Sequence, residues 1–468
     1  MNSKNVFVIK LRSGILLMAC SIFILASCVS PIKKSALNTE STPVKLVEEI
    51  LIDSVWAANK VKFALRTIGD QQYVAYYDKN RMMTVATREI GSQQWDKKTL
   101  PNQLKWDSHN YVAMGIDEEG YIHVSGNMHV NPLVYFRSTQ PYDIHSLVEV
   151  NKMVDVEEDD VTYPKFFYDK DEHLLFSYRA GTCGNGNILI NQYQTENNSW
   201  IRYLNKPLFE GIEKDDDRAA YHRFVKDSEG NFHYIWMWRW TPEVATSHQI
   251  CYATSPDLLN WKNAVGKAVN LPFRPDDKQL IVDPSPSEGG MHNGKYQIIL
   301  TDKDEPIIGY LKYDEEGLTQ LYIAKFDNGK WRRKKISDWN FRWKFFGGGD
   351  KMSKGASFSL NGFTEDGSLM IDWSTETNKS GVYVVNPQTL ALINKKVAAI
   401  PKYPTAIHQR LTANSKMSVN LQADSGKPTE SNTKFLLKWE SMGKSHGRHA
   451  PKVIPKGPVS PLKLVEIQ

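Results

Sequence analysis

The chain has 468 residues, 41% of them hydrophobic and 24% charged, with a formal net charge of +5. That length exceeds an ordinary single domain unless the architecture repeats, and the ordinary apolar and charged fractions exclude disordered and fibrous classes. The charge is too small for bulk nucleic-acid binding, and it falls to +2 once residues 1–27, with Lys4, Lys10, Arg12 and no acid, are removed.

The first element in chain order is an export signal. Basic residues precede an apolar run at 15–26, too short for a comfortable membrane span, that ends Leu25-Ala26-Ser27-Cys28. This ending resembles the bacterial lipobox, whose cysteine is lipidated and becomes the new N-terminus; an ordinary cleaved signal is the plainer alternative. The expected organisation is a signal peptide at 1–27, lipidation at Cys28, a Ser-, Pro- and Lys-containing tether at 28–44 and one catalytic domain at 45–468. The expected location is the outer membrane, reached by export and held by the lipid anchor.

No long stretch carries helical periodicity. Short β-rich runs alternate with turn residues, which predicts an all-β chain. One unit recurs: an acidic or Gly-containing turn, an alternating strand, a polar loop, a second strand, and often a Trp near the last strand. Copies turn at Gly69-Asp70, 117–120, 169–172, 227–230, 302–305 and 365–367, and Trp95, Trp200, Trp261 and Trp331 close four of them. The spacing of about 50–75 residues suits a four-stranded propeller blade. Six copies are visible, and the runs at 44–47, 435–439 and 462–467 supply strands for one more from both ends. The predicted fold is therefore a seven-bladed β-propeller, its ring closed by N- and C-terminal strands so that no sheet edge is left open. Six or eight blades stay open; a string of β-sandwiches explains the even spacing less well.

Each turn joins two antiparallel strands, so residues equally far before and after it face each other within about 5 Å. His109 lies eight residues before the turn at 117–120 and His129 nine after it. Tyr163 and Tyr178 flank 169–172 symmetrically, with Arg179 next along, while Tyr221 lies six before 227–230 and Arg239 nine after it. Equivalent blades bring all of these to one mouth of the ring. Such a set suits cleavage of a uronate by β-elimination: a base takes the C5 proton beside the carboxylate, a cation neutralises that carboxylate, and an acid protonates the leaving oxygen. His and Tyr serve as base and acid, and Arg grips a carboxylate with two hydrogen bonds. His109, His129, Tyr221 and Arg239 are the candidate catalytic residues. Asn110, Tyr178, Arg179 and Arg223 are the candidate substrate contacts. The chemistry requires no cofactor, and a structural zinc or calcium is compatible with it.

Other features have plainer readings. His123 and His233 recur in Gly-x-x-His at the same place in their repeats and read as blade structure, and Tyr234, Trp236 and Trp238 alternate as packing residues. Cys183 and Cys251 allow a disulfide, two buried thiols, or a zinc site with His222 or His248. The run 215–217 reads as a solvated acidic loop with a cation site as the alternative. Gly347-Gly348-Gly349 lacks the Gly-Lys-Ser/Thr ending of a phosphate cradle.

The stretches Asp107-Ser108-His109-Asn110, 117–124, Gly126-Asn127-Met128-His129 and 132–138 together resemble the BNR-4 repeat family. So do Ser177-Tyr178-Arg179-Ala180-Gly181, Trp236-Met237-Trp238-Arg239-Trp240 and Leu437-Lys438-Trp439-Glu440, and 251–257 with Trp261 is similar to a degenerate Asp-box. The resemblance spans roughly 45–468. It implies a seven-bladed propeller. It also implies kinship with ulvan lyases, which cleave rhamnose–uronate linkages in a sulfated algal polysaccharide, and with lyases and α-L-rhamnosidases acting on rhamnose–glucuronate ends. In the ulvan lyases two histidines on partner strands, a tyrosine and an arginine act. The positions that match are His109, His129 and Arg239, with Tyr221 the nearest tyrosine and Arg223 in the register expected for it, so the base stays open between Tyr221 and a histidine. The expected protein is a monomeric polysaccharide lyase acting on an acidic polysaccharide such as ulvan. An α-L-rhamnosidase and a non-catalytic surface glycan-binding propeller are the alternatives.

Overall fold

Apolar–polar alternation between acidic turns produces strands along the whole described chain. The computed structural model describes residues 45–211, 218–347, 355–377, 379–397, 403–428, 433–445 and 450–468. The signal segment, Cys28, the tether, the acidic run 215–217, and Gly348 and Gly349 lie outside them. Among the described residues the only helices are single 3-10 turns.

The strands form successive antiparallel meanders. The first comprises Ala64–Gly69, Gln71–Tyr77, Met82–Glu89 and Asp96–Gln103, and the second Val112–Ile116, Ile122–Gly126, Tyr135–Ser138 and Leu147–Glu149. The third comprises Val161–Tyr168, Leu174–Thr182, Asn185–Gln194 and Ser199–Arg202, and the fourth Ala219–Lys226, Phe232–Arg239, Ser247–Ser255 and Trp261–Lys262. One parallel bridge, Gly186 to Ala219, joins these last two into a single larger sheet. Two further meanders lie within 296–335 and 357–397. In a final sheet Leu46–Trp56 pairs along its length with Val459–Ile467, which pairs with Lys434–Ser441. Each of the six turns read from the sequence separates two paired antiparallel strands.

The turns explain why an acid opens so many repeats. Asp117 Oδ1 accepts the backbone N–H groups of Glu119 and Tyr121 at 3.1 and 2.8 Å, and Asp227 Oδ1 accepts those of Glu229 and Asn231 at 3.0 and 2.8 Å. A short carboxylate thus takes the donors that the reversing chain cannot pair. The second oxygen holds an imidazole: His123 Nε2 lies 3.1 Å from Asp117 Oδ2 and His233 Nε2 3.2 Å from Asp227 Oδ2. Each ring's Nδ1 meets a buried tyrosine, Tyr135 at 2.7 Å and Tyr252 at 2.8 Å. His123 and His233 are therefore clasps within their meanders. Tyr234, Trp236 and Trp238 are fully buried in one apolar cluster with Trp261.

Cys251 lies in that same cluster, whereas the Cys183 thiol sits 3.7 Å from the Tyr221 hydroxyl, so no disulfide joins them. The zinc reading is likewise not met among the described residues. His222 stacks on Phe209, His248 stacks on Trp240, and the two groups of three clustered ligand atoms are Asp107-His109-His129 and Asp169-Asp171-His173.

Candidate active site

Asp107 organises the two histidines. The chain turns at 107–110, where the Asn110 N–H donates to the Asp107 carbonyl at 3.1 Å and the His109 N–H to Asp107 Oδ1 at 2.8 Å. The same carboxylate takes both rings: His109 Nδ1 to Oδ1 at 2.7 Å and His129 Nδ1 to Oδ2 at 2.7 Å. The rings lie 4.2 Å apart, centroid to centroid. They meet as counting from the turn predicts, but not by direct hairpin pairing. Past Gly126 the chain passes through Asn127 at φ 63°, and the short strand His129–Asn131 crosses to the third meander, setting His129 opposite Thr162. Asp107 was not among the candidates; its signal was the Asp-x-His spacing of a side chain that caps its own turn.

The third meander departs from simple counting. Thr162 faces Arg179 and Lys165 faces Ser177, so a bulge occupies 163–164 and Tyr163 does not face Tyr178. Tyr163 holds φ 61°, a left-handed conformation costly for an aromatic residue. The bulge turns its ring toward His109, at 5.7 Å between centroids, and the Arg179 guanidinium lies 4.9 Å over its face. Tyr178 also lines the cavity described below. Its phenol accepts a hydrogen bond from Arg202 at 3.1 Å, and its ring packs with Phe176 in an apolar cluster.

Arg179 is 1% exposed, and its Nε, Nη1 and Nη2 find no hydrogen-bond partner among the described residues. An unanswered buried guanidinium is costly, and it is the donor set that a carboxylate satisfies. Room for its stem depends on Gly186, where a Cβ would lie 2.7 Å from Arg179 Cγ. Gly186→Ala is expected to shift the guanidinium and lower kcat/KM on the order of 10²-fold, and, because the same Cβ would lie 2.9 Å from the Ala180 carbonyl oxygen, to lower the melting temperature as well. Steady-state kinetics and thermal unfolding of one preparation check both halves.

In the fourth meander Ala219 faces Arg239 and Tyr221 faces Met237. Arg239 Nη1 donates to the Tyr221 hydroxyl at 3.3 Å and Nε to the Thr241 carbonyl at 3.1 Å, so most of its fork is engaged. Arg223 lies 5.1 Å over the Tyr296 ring. His109, Tyr163, Arg179, Tyr221 and Arg223 line one cavity of about 660 Å³. His129, Asn110 and Arg239 are not on its wall. His129 shares Asp107 behind His109, Asn110 is 2% exposed beneath the turn, and Arg239 stands behind Tyr221.

The electrostatics separate an acid from a base. Burial pushes the Asp107 carboxyl up, but the hydrogen bonds from His109 and His129 outweigh it and hold Asp107 well below the usual carboxylate range. Burial lowers His109; the bond to Asp107 opposes this, while His129 and Arg179 add to the lowering, and the net direction is down from 6.5. Both directions fit an anionic Asp107 carboxylate beside a neutral His109 imidazole. Donation through Nδ1 then assigns the lone pair of His109 to Nε2. Burial raises Tyr163 above 10 despite Arg179 and Arg239, which keeps it a phenol at neutral pH. Tyr221 is raised by burial and by Tyr163. Asp107→Asn removes the anion that supports the His109 proton. It is expected to cost on the order of 10²-fold or more in kcat and to move the acid limb of the pH–rate profile, already below 6.5, further down.

The succession of antiparallel meanders is similar in fold to solved β-propeller-like polysaccharide lyases. The solved structure of polysaccharide lyase Uly1 matches with a TM-score of 0.59 at 13% identity, covering 90% of this chain and 99% of that one. A PL25 ulvan lyase matches with a TM-score of 0.52 at 14% identity over 84% of this chain and 93% of that one. Its complex with -[GlcA(1-4)Rha3S]- matches at 0.52 and 13% over the same shares. These likenesses describe the fold. The chain belongs to the BNR repeat-containing family, whose profile matches residues 71–339. No curated protein matches the chain in sequence.

Proposed function

We propose that this chain is a polysaccharide lyase that cleaves a rhamnose–uronate linkage in an acidic polysaccharide such as ulvan by β-elimination. The observation that carries this reading is the buried, partnerless fork of Arg179 beside a neutral imidazole and a protonated phenol on one cavity wall. The uronate carboxylate pairs with Arg179, which withdraws charge as C5 becomes acidic. His109 Nε2 removes the C5 proton, the electron pair forms the C4–C5 double bond, the C4–O4 bond breaks, and Tyr163 gives its proton to O4. Environments that push two titrating groups in opposite directions assign base and acid. The carboxylate role thus moves from Arg239 to Arg179, and Tyr221 with Arg239 becomes a positioning pair.

In the same reading the meanders are seven blades of a ring closed by the sheet that unites both chain ends. The protein is exported, anchored at the outer membrane through Cys28, and monomeric. No cofactor takes part in the elimination. The ligand of the ulvan lyase complex, an alternating glucuronate and sulfated rhamnose, supports the choice of substrate class. The test is ultraviolet absorbance of an unsaturated uronate when the purified chain meets ulvan and rhamnose–glucuronate glycans. Rhamnose released without that chromophore would make it a hydrolase, and tight binding without product a glycan-binding propeller.

A further inference from the structure

The cavity wall carries more positive charge than one uronate needs. Lys60, Lys62, Lys165, Arg179, Arg223 and Lys444 line it, and no Asp or Glu among the described residues does. Apart from Arg179, these cations come from separated parts of the chain: the approach to the first meander, the first strands of the third and fourth, and the loop after Lys434–Ser441. Among the described residues none of Lys62, Lys165, Arg223 and Lys444 has a carboxylate within ion-pair distance; Lys165 Nζ rests instead 3.7 Å over the Phe224 ring. The Lys165 side chain is exposed on the cavity wall.

The cluster is separate from the carboxylate grip but adjacent to it. Arg223 follows Tyr221 by two residues on one strand, so both point to the same side about 7 Å apart. Lys165 similarly follows Tyr163, just past the bulge. Like charges gathered on one wall oppose one another. Burial lowers Lys62 and Lys165, with Arg223 adding to both, Lys444 to Lys62 and Lys62 to Lys165. An anion bound among them relieves that repulsion.

We infer that Lys62, Lys165 and Arg223, with Lys60 and Lys444 at the margin, form a second anion subsite. It takes a sulfate ester or a further carboxylate on the sugar next to the uronate held by Arg179, and so selects a doubly anionic stretch of polymer. This rests on the function proposed above and adds a specificity to it.

The test is calorimetric binding to the mature full-length chain of three oligosaccharides of equal length: sulfated rhamnose–glucuronate, its desulfated form, and contiguous oligo-uronate. The wild type is expected to bind either the sulfated or the contiguous-uronate probe about tenfold or more tighter than the desulfated one. The favoured probe identifies the anion. K62M/K165M should lose that preference while its affinity for the desulfated probe stays within about twofold, and the charge-retaining K62R/K165R should keep it. Removing like charges is expected to leave the melting temperature unchanged or higher. Equal binding of all three probes by the wild type, or a preference that survives K62M/K165M, overturns the inference. Binding is read without turnover. Absence of unsaturated product from every uronate polymer would instead defeat the lyase reading and leave this measurement intact.

Discussion

Arg179→Ala is expected to lower kcat/KM roughly 10³-fold on any uronate polymer the wild type cleaves. The reason is local. Its guanidinium is fully buried, makes no hydrogen bond within the described residues, and lies over the ring of Tyr163, so substrate is the partner it lacks. Removing it deletes an unanswered charge, and the melting temperature should hold or rise. Arg179→Lys should restore little, because an ammonium supplies a point charge where the carboxylate needs a planar fork. Initial rates by ultraviolet absorbance, beside those of Arg239→Ala, decide the matter. A larger loss at Arg239, whose Nε and Nη1 already serve Thr241 and Tyr221, would reverse the assignment.

Tyr163→Phe is expected to lower kcat by about 10³-fold with KM little changed, because the proton for the leaving oxygen is lost while the ring that fills the bulge remains. Tyr221→Phe should cost only about tenfold, since that phenol positions rather than transfers. The pH profile gives an independent check. His109 must be neutral and its value lies below 6.5, so activity rises with pH through a limb under 6.5. Tyr163 must be protonated and its value lies above 10, so the alkaline limb falls beyond 10. In Tyr163→Phe the residual activity should lose the alkaline limb and keep the acid one. An unchanged alkaline limb would remove Tyr163 from the proton path.

Local chemistry was the legible part of this sequence. Acidic turns, alternating strands and the Gly-x-x-His clasps are written within a few residues, and each appears where its spacing predicts. The meeting of His109 and His129 was also legible, because both leave one hairpin at nearly equal distance from its turn. Counting failed at 163–164. One bulge broke the simple pairing of Tyr163 with Tyr178, and it brought the Tyr163 ring against His109 while the Tyr178 ring packs with Phe176. Nothing in the residues of 161–168 announces that bulge except Pro164, which cannot donate to a strand ladder. The proposed exchange of roles between Arg179 and Arg239 was illegible for another reason. Both sit near strand ends in similar registers, and only the hydrogen-bond partners among the described residues, Tyr221 and the Thr241 carbonyl for Arg239 and none for Arg179, separate them. Asp107 was passed over because its partner His129 lies 22 residues away.

The sheet uniting Leu46–Trp56 with Val459–Ile467 has a consequence for biogenesis. Leu46–Trp56 must remain unsatisfied until residues roughly four hundred positions later have been made, with Glu49 waiting for Lys438 and Lys463 at 2.6 and 2.8 Å. A nascent polypeptide therefore cannot complete this sheet before Val459–Ile467 has been synthesised. A premature stop anywhere upstream of 459 should yield a product that aggregates through an open eleven-residue edge rather than a smaller working enzyme.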